Sequence, residues 1–166
     1  MSDRAAIAVS NSYDVGGDSI CVFLSGNGRY DHRSQGHSGQ APRGGPGLFV
    51  YERTSKDMNW KLTSIQTNVT VYNLASTSWV QNGQVVFSVA YQTVDRAVFL
   101  IERIGSGEWG APVKIVVLPD HRQITLFITS GDDRTLWTDH GERYVWNRGD
   151  WPQFIENPNL GQKHLH

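Results

Sequence analysis

The chain has one cysteine among 166 residues, Cys21, so an internal disulfide framework is excluded. No apolar run approaches the roughly 20 residues that a membrane-spanning helix needs, and the first residues are too polar for a secretory signal. Acidic and basic residues nearly balance, with a net charge of −1 and no basic stripe. These absences predict a soluble, cytoplasmic protein that binds neither nucleic acid nor membranes.

Helical periodicity is also lacking, because apolar residues do not recur at three-four spacing over any long window. Short runs rich in Val, Ile, Phe and Thr recur instead, bounded by Gly, Asn, Asp or Pro. Six Trp, six Tyr and six Phe, beside only two Met, further favour β structure. We predict an all-β protein with strands near residues 5–10, 19–24, 48–53, 60–65, 74–80, 84–91, 97–104, 113–118, 123–129, 135–139 and 143–146.

One sequence pattern occurs twice, fifty residues apart. Residues 49–60 read FVYERTSKDMNW and residues 99–109 read FLIERIGSGEW. In both, apolar residues run into Glu-Arg, a short polar turn follows and a Trp ends the pattern. A third Glu-Arg, Glu142-Arg143, has Trp146 behind it, but its register against the other two copies is not fixed by the pattern.

These repeats extend to units of four strands. In the third unit, aligning Asp133-Arg134 with the turn at Asp95-Arg96 makes residues 124–129 the second strand. Four strands at this spacing are typical of propeller blades, which must stack to bury both faces. Because propellers usually carry roughly four to eight blades, we predict a β-propeller-like fold with about three blades per chain, its ring closed in a homodimer or other homo-oligomer. The alternative is a β-sandwich or barrel with accidental self-similarity.

A single all-β domain is expected over residues 1–157. Residues 26–47 form a long Gly- and Pro-rich loop inside it, and loops of this length are usually functional or disordered. Residues 158–166 are expected to be a flexible tail.

The Glu-Arg dipeptides have an ordinary explanation and a functional one. Side chains alternate between the faces of a strand, so one of the two can be solvated while the other pairs across a strand. In the functional interpretation, a carboxylate accepts hydrogen bonds from adjacent sugar hydroxyls, and a nearby Trp covers the apolar side of a pyranose. Repeated units of this kind predict several shallow sugar sites.

The motifs resemble those of the fucose-binding propeller lectins of the Aleuria type and their small bacterial relatives. Blades of that family open with an Ala-Thr-Ser-Trp-like strand, continue with an Ile-Thr-Glu-Arg-like strand and then have a Gly-x-Gly-Trp-like turn. The corresponding stretches here are residues 75–79, residues 50–53 and 100–103, and residues 105–109. The resemblance implies a carbohydrate-binding protein that completes its propeller by oligomerising.

The same resemblance implies which residues hold the sugar. Glu52 and Glu102 would be the acceptors, and Trp60, Trp79 and Trp109 would be the stacking platforms. The family also has an Arg early in the second strand that donates to the sugar. The stretches aligned with it, residues 19–23, 85–88 and 124–127, contain no Arg.

An enzyme is the alternative, although the residues favour a binding protein. Asp-His occurs three times, and His is the usual acid or base near neutral pH. His32, His121 and His140 are therefore the catalytic candidates. The ordinary explanation is that these residues lie in solvated turns. Such an enzyme would be a metal-free, non-redox isomerase or cyclase acting on a small molecule. No zinc-ligand spacing or phosphate-binding loop is present, so no metal and no cofactor are expected.

Overall fold

The computed structural model describes residues 7–14, 17–26, 46–55, 57, 59–130, 133–147 and 155–156. Within these ranges the chain forms β-strands and no helix, which confirms the predicted all-β character. The interior of the long loop, residues 27–45, and the tail lie outside the described residues. The strands are β1 (Ile7–Asp14), β2 (Gly17–Gly26), β3 (Gly47–Thr54), β4 (Lys61–Thr67), β5 (Val71–Gln81), β6 (Gln84–Thr93), β7 (Ala97–Ile104), β8 (Val113–Val117), β9 (Ile124–Ser130), β10 (Asp133–Thr138), β11 (Arg143–Asn147) and β12 (Ile155–Glu156).

The described strands form three separate four-stranded sheets rather than one closed barrel. The first sheet is β1-β2-β3-β4, the second is β5-β6-β7-β8 and the third is β9-β10-β11-β12, and neighbouring strands in each are antiparallel. The first strands lie side by side, with β5 between β1 and β9. We call the contact of the first and second sheets the first junction, and that of the second and third sheets the second junction.

The hairpin between β5 and β6 shows why the chain turns where it does. Gln81 pairs with Gln84, so only Asn82 and Gly83 form the turn. Both have positive φ, 50° and 74°, the left-handed conformation that Asn-Gly adopts in two-residue hairpin turns. The second sheet therefore begins with a tightly specified register.

Two hydrophobic cores lie on opposite faces of the second sheet. The first core joins Cys21, Phe23 and Val50 of the first sheet to Phe87 and other residues of the second. The second core joins residues of the second sheet, such as Ala90 and Leu100, to Ile124, Phe127, Leu136 and Tyr144 of the third. Because both faces of the second sheet are covered, β6 is buried from Val85 to Gln92 without the usual alternation.

The third sheet differs from the expected tracing. Its first hairpin pairs Ser130 with Asp133, as Gln81 pairs with Gln84 in the second sheet. Since β9 lies against β5, the strand at 124–130 is the first strand of its sheet and not the second. Arg134 is consequently a second-strand residue, and the comparison of Asp133-Arg134 with the turn at Asp95-Arg96 was wrong.

The pairing registers also settle the position of the third Glu-Arg. The fifth residue of each second strand pairs with Glu52 in the first sheet, Glu102 in the second and Arg143 in the third, the pairs being Cys21–Glu52, Ser88–Glu102 and Trp137–Arg143. The third dipeptide is therefore shifted by one residue. Arg143 occupies the place that a glutamate occupies in the other two sheets.

Candidate functional site

The first junction brings Glu52 of β3 against Arg103 of β7. Arg103 Nη1 donates to Glu52 Oε2 at 2.6 Å, and Nη2 donates to Oε1. The guanidinium is buried, at 7% side-chain exposure, while the carboxylate keeps 24%. Two parallel charge-assisted bonds of this kind are strong and fix the orientation of both groups.

Aromatic rings hold the Arg103 guanidinium from within its own sheet. Its central carbon lies 4.8 Å from the centroid of the Trp109 ring and 5.4 Å from that of Phe87, distances at which a cation is attracted to a π face. Trp109 in turn packs edge-on against Phe23 of the first sheet, with centroids 5.5 Å apart. Trp109 thus belongs to the first junction.

The charges at this junction perturb two neighbouring groups. Burial alone would lower the pKa of the Arg103 guanidinium, but the hydrogen bonds and charge of Glu52 outweigh it, so the pKa is raised. Burial and then the Glu52 carboxylate raise the pKa of the Cys21 thiol to about 12, against a smaller opposing effect of Arg103. Cys21 is therefore a protonated core residue at neutral pH and not a nucleophile.

The second junction repeats the arrangement with an arginine from another strand. Glu102 of β7 pairs with Arg134 of β10, with Arg134 Nη2 3.2 Å from Glu102 Oε1. The Arg134 guanidinium stacks on Trp79 of β5, 4.9 Å from the ring centroid. Arg134 and Trp79 are buried, whereas the Glu102 side chain keeps 27% exposure.

Four of the five predicted binding residues therefore meet in two clusters, Glu52 with Trp109 and Glu102 with Trp79. Sequence reasoning missed Arg103 and Arg134, which complete the clusters. Arg134 stands early in a second strand, the place where the resemblance called for an arginine. Its signal was the Gly131-Asp132 dipeptide in the sequence, a composition typical of hairpin turns, but the shifted alignment concealed it.

Trp60 lies apart from both clusters. It directly precedes β4, and the residue is 47% exposed. Trp109 holds a comparable place ahead of β8, but it is packed against the preceding sheet. Among the described residues no sheet lies on the corresponding side of the first sheet, so Trp60 has none to cover it.

The histidine candidates differ in their surroundings. His140 Nδ1 lies 2.9 Å from Asp139 Oδ1, which also accepts the backbone N–H of Gln123 at 3.0 Å. These bonds, that of His140 first, lower the pKa of the Asp139 carboxyl. His121 is exposed at a positive φ of 62°, and its neighbour Asp120 pairs with Arg96 instead. His32 lies outside the described residues.

Neither a metal centre nor a membrane span emerges from the part of the chain that the structure describes. No three His, Cys, Asp or Glu side chains there come together as metal ligands. That part also contains no helix of the length and apolarity needed to cross a bilayer.

Comparison with protein-family models finds no match to this chain, and comparison with curated proteins finds none either. The two Glu-Arg-Trp clusters and the sequence motifs are therefore the features that point to a function.

Proposed function

We propose that this chain is a carbohydrate-binding, lectin-like protein with shallow sugar sites at the sheet junctions. The observation that carries the proposal is the repetition of one cluster: a glutamate, an arginine and a tryptophan meet at the first junction and again at the second. In a sugar site, a carboxylate accepts hydrogen bonds from hydroxyl groups, a guanidinium donates hydrogen bonds to them, and an indole packs against the sugar ring.

The ion pairs leave the carboxylates able to bind a sugar. An ionised carboxylate has about four lone-pair sites, and the bonds from Arg103 occupy one on each oxygen of Glu52. About a quarter of each Glu side chain remains exposed. A carboxylate already oriented by its arginine loses little further freedom when hydroxyl groups bind to it.

The sheet arrangement supports a β-propeller-like assembly of about three blades per chain. Each sheet is a four-stranded meander, and the first strands lie side by side as they do around a propeller axis. A homodimer would close six such sheets into a ring. Trp60, on the uncovered side of the first sheet, then lines a junction between two copies and serves as a stacking platform there.

A glycan array probed with the labelled chain tests this function. We expect a defined group of glycans to bind with weak single-site affinity and several equivalents per oligomer. Glu102→Gln removes the acceptor charge at the second junction and should weaken binding about tenfold or more, while Asp57→Asn, at an exposed ion pair with Lys61, should bind as the unaltered chain does. An array with no bound glycan contradicts the proposal.

A small-molecule isomerase or cyclase is the second candidate, and the Asp139–His140 contact favours it. A carboxylate that fixes Nδ1 of a histidine leaves Nε2 to exchange protons with a substrate. The two functions separate when each bound glycan is incubated with the protein and followed by NMR. Unchanged ligand supports binding alone, whereas a new isomer that His140→Ala fails to produce supports the enzyme.

A further inference from the structure

The third sheet has one face in the second core and one face that the second sheet does not cover. Phe127 is buried against the second sheet, and side chains alternate along a strand, so Leu126 and Ile128 lie on the other face. Their exposures are 49% and 39%. Trp137 pairs with Leu126, and Arg143 pairs with Trp137. We call these four residues the outer face of the third sheet.

Among the described residues, three arginines stack on an aromatic ring, and Arg143 is the one that pairs with no glutamate. It lies over the Trp137 ring, 5.6 Å from the centroid, as Arg103 lies over Trp109 and Arg134 over Trp79. Each of those two pairs with a glutamate of the adjoining sheet. Within the described part of the chain, Arg143 forms no ion pair, and its buried Nε has no hydrogen-bond partner.

The strand register indicates which position of a neighbouring sheet would have to carry a carboxylate for it to pair with Arg143. At the second junction, Glu102 pairs with Arg134, the second residue of β10. Arg143 occupies the Glu102 position in the third sheet, so the charge at that position is reversed. A sheet that packed on the outer face in the same way would need an acid as the second residue of its second strand. The second residue of β2, in the first sheet, is Asp18.

We propose that the outer face of the third sheet docks on the first sheet of a second copy of this chain, with Arg143 paired to Asp18 of that copy. This contact repeats the geometry of the second junction with the two charges exchanged. It rests on the stacked-sheet arrangement proposed above and not on sugar binding. Because the contact joins two different faces, two copies form it twice and close a six-sheet ring.

The composition of the face fits a protein partner. Trp and Arg are the residue types that contribute most to protein interfaces when they are desolvated at the centre. Here they lie beside two exposed aliphatic side chains, Leu126 and Ile128. A binding site for a small polar ligand at the same place would not need two exposed aliphatic side chains. A second copy satisfies both the apolar area and the acid that Arg143 lacks.

Light scattering on a sizing column, over a dilution series, tests the contact by charge exchange. The unaltered chain should have twice the chain mass. Arg143→Glu places an acid against Asp18, and Asp18→Arg places two arginines together, so each should raise the dimer Kd about 100-fold. The double variant, Arg143→Glu with Asp18→Arg, should return the Kd to within about tenfold of the original value.

Two further variants guard against loss of folding. Leu126→Ser removes an exposed apolar side chain and should also dissociate the dimer while the circular dichroism spectrum stays unchanged. Lys114→Glu makes the same charge change on an exposed residue of β8 and should leave the dimer intact. A monomeric unaltered chain, a dimer that tolerates Arg143→Glu and Leu126→Ser, or a double variant that stays dissociated each overturns the proposal.

The glycan array separates this proposal from the proposed function. The first and second junctions each lie within one chain, so the monomeric Arg143→Glu variant should still bind the same glycans there, with lower avidity. If the dimer fails but glycans bind, only the docking proposal is wrong. If the charge exchange succeeds but no glycan binds, only the proposed function is wrong.

Discussion

Adjacent residues of one dipeptide serve two different junctions. Glu102 and Arg103 point to opposite faces of β7, so Glu102 pairs with the third sheet and Arg103 pairs with the first. The second sheet is thereby tied to both neighbours from one point near the end of its third strand. The Glu102-Arg103 dipeptide thus has a structural role that requires no catalytic one.

Removing one member of the first ion pair should destabilise the fold. Glu52→Gln leaves the buried Arg103 guanidinium without its counter-charge, and breaking a pair of intermediate burial should lower the free energy of unfolding by about 1–3 kcal/mol. Urea unfolding followed by tryptophan fluorescence measures the loss. Replacing both partners, Glu52→Leu with Arg103→Met, should recover most of it, because no buried charge then remains.

The control for that experiment is the exposed pair of Asp57 and Lys61. Lys61 Nζ lies 2.7 Å from Asp57 Oδ2, but both side chains are well solvated. Asp57→Asn should therefore leave the urea midpoint unchanged. Equal losses for Glu52→Gln and Asp57→Asn would show that the first ion pair contributes no more than a surface contact.

At the scale of elements, a buried glutamine fixes the connection between the second and third sheets. Gln92, in β6, donates from Nε2 to the carbonyl of Arg122 at 2.8 Å and accepts at Oε1 from the N–H of Ile124 at 3.1 Å. Both contacts lie on the segment that leads into β9. One side chain of the second sheet thus sets where the third sheet begins.

Gln92→Leu should lower the free energy of unfolding by about 2–4 kcal/mol, because a buried N–H and a partly buried carbonyl lose their partners at once. Hydrogen exchange at the Ile124 amide should accelerate strongly, which amide-resolved NMR measures. The matched control is Gln123→Leu, since the Gln123 side chain reaches only the exposed Tyr72 hydroxyl, at 3.3 Å. Comparable effects of the two substitutions would contradict a special role for Gln92.

The sequence predicted strands throughout the first two sheets, because runs of β-forming residues bounded by turn residues are local signals. The register of the third sheet was left open, because aligning Glu142-Arg143 with the other two dipeptides and aligning Asp133-Arg134 with Asp95-Arg96 give different registers. The Trp137–Arg143 pairing places that dipeptide one residue earlier than Glu52-Arg53 and Glu102-Arg103 stand in their sheets. Sequence similarity and strand pairing thus disagreed by one residue, which is enough to exchange the faces of a strand.

The candidate residues were predicted better than their partners. Glu52, Glu102, Trp79 and Trp109 lie at the junctions. The arginine that pairs with each glutamate was missed, Arg134 because the shifted alignment concealed it. Arg103 was read only as the neighbour of Glu102, and its pairing with Glu52 depends on how two sheets approach. Contacts between sheets are set by tertiary packing, which a one-dimensional pattern does not encode.

For the whole molecule, two separate cores predict two separate openings. No buried residue belongs to both cores, since they lie on opposite faces of the second sheet. Local unfolding proceeds through such contiguous units. The first junction should therefore be able to separate while the second core stays packed.

Cys21 reports on that opening. It is buried in the first core, and burial raises the pKa of its thiol to about 12. Iodoacetamide reacts with an accessible thiolate, so alkylation has to wait for the sheets to separate. Glu52→Gln should accelerate alkylation about tenfold or more, whereas Glu102→Gln, at the second junction, should change it little. Equal acceleration by both variants, measured by mass spectrometry under native conditions, would mean that the three sheets open as one cooperative unit.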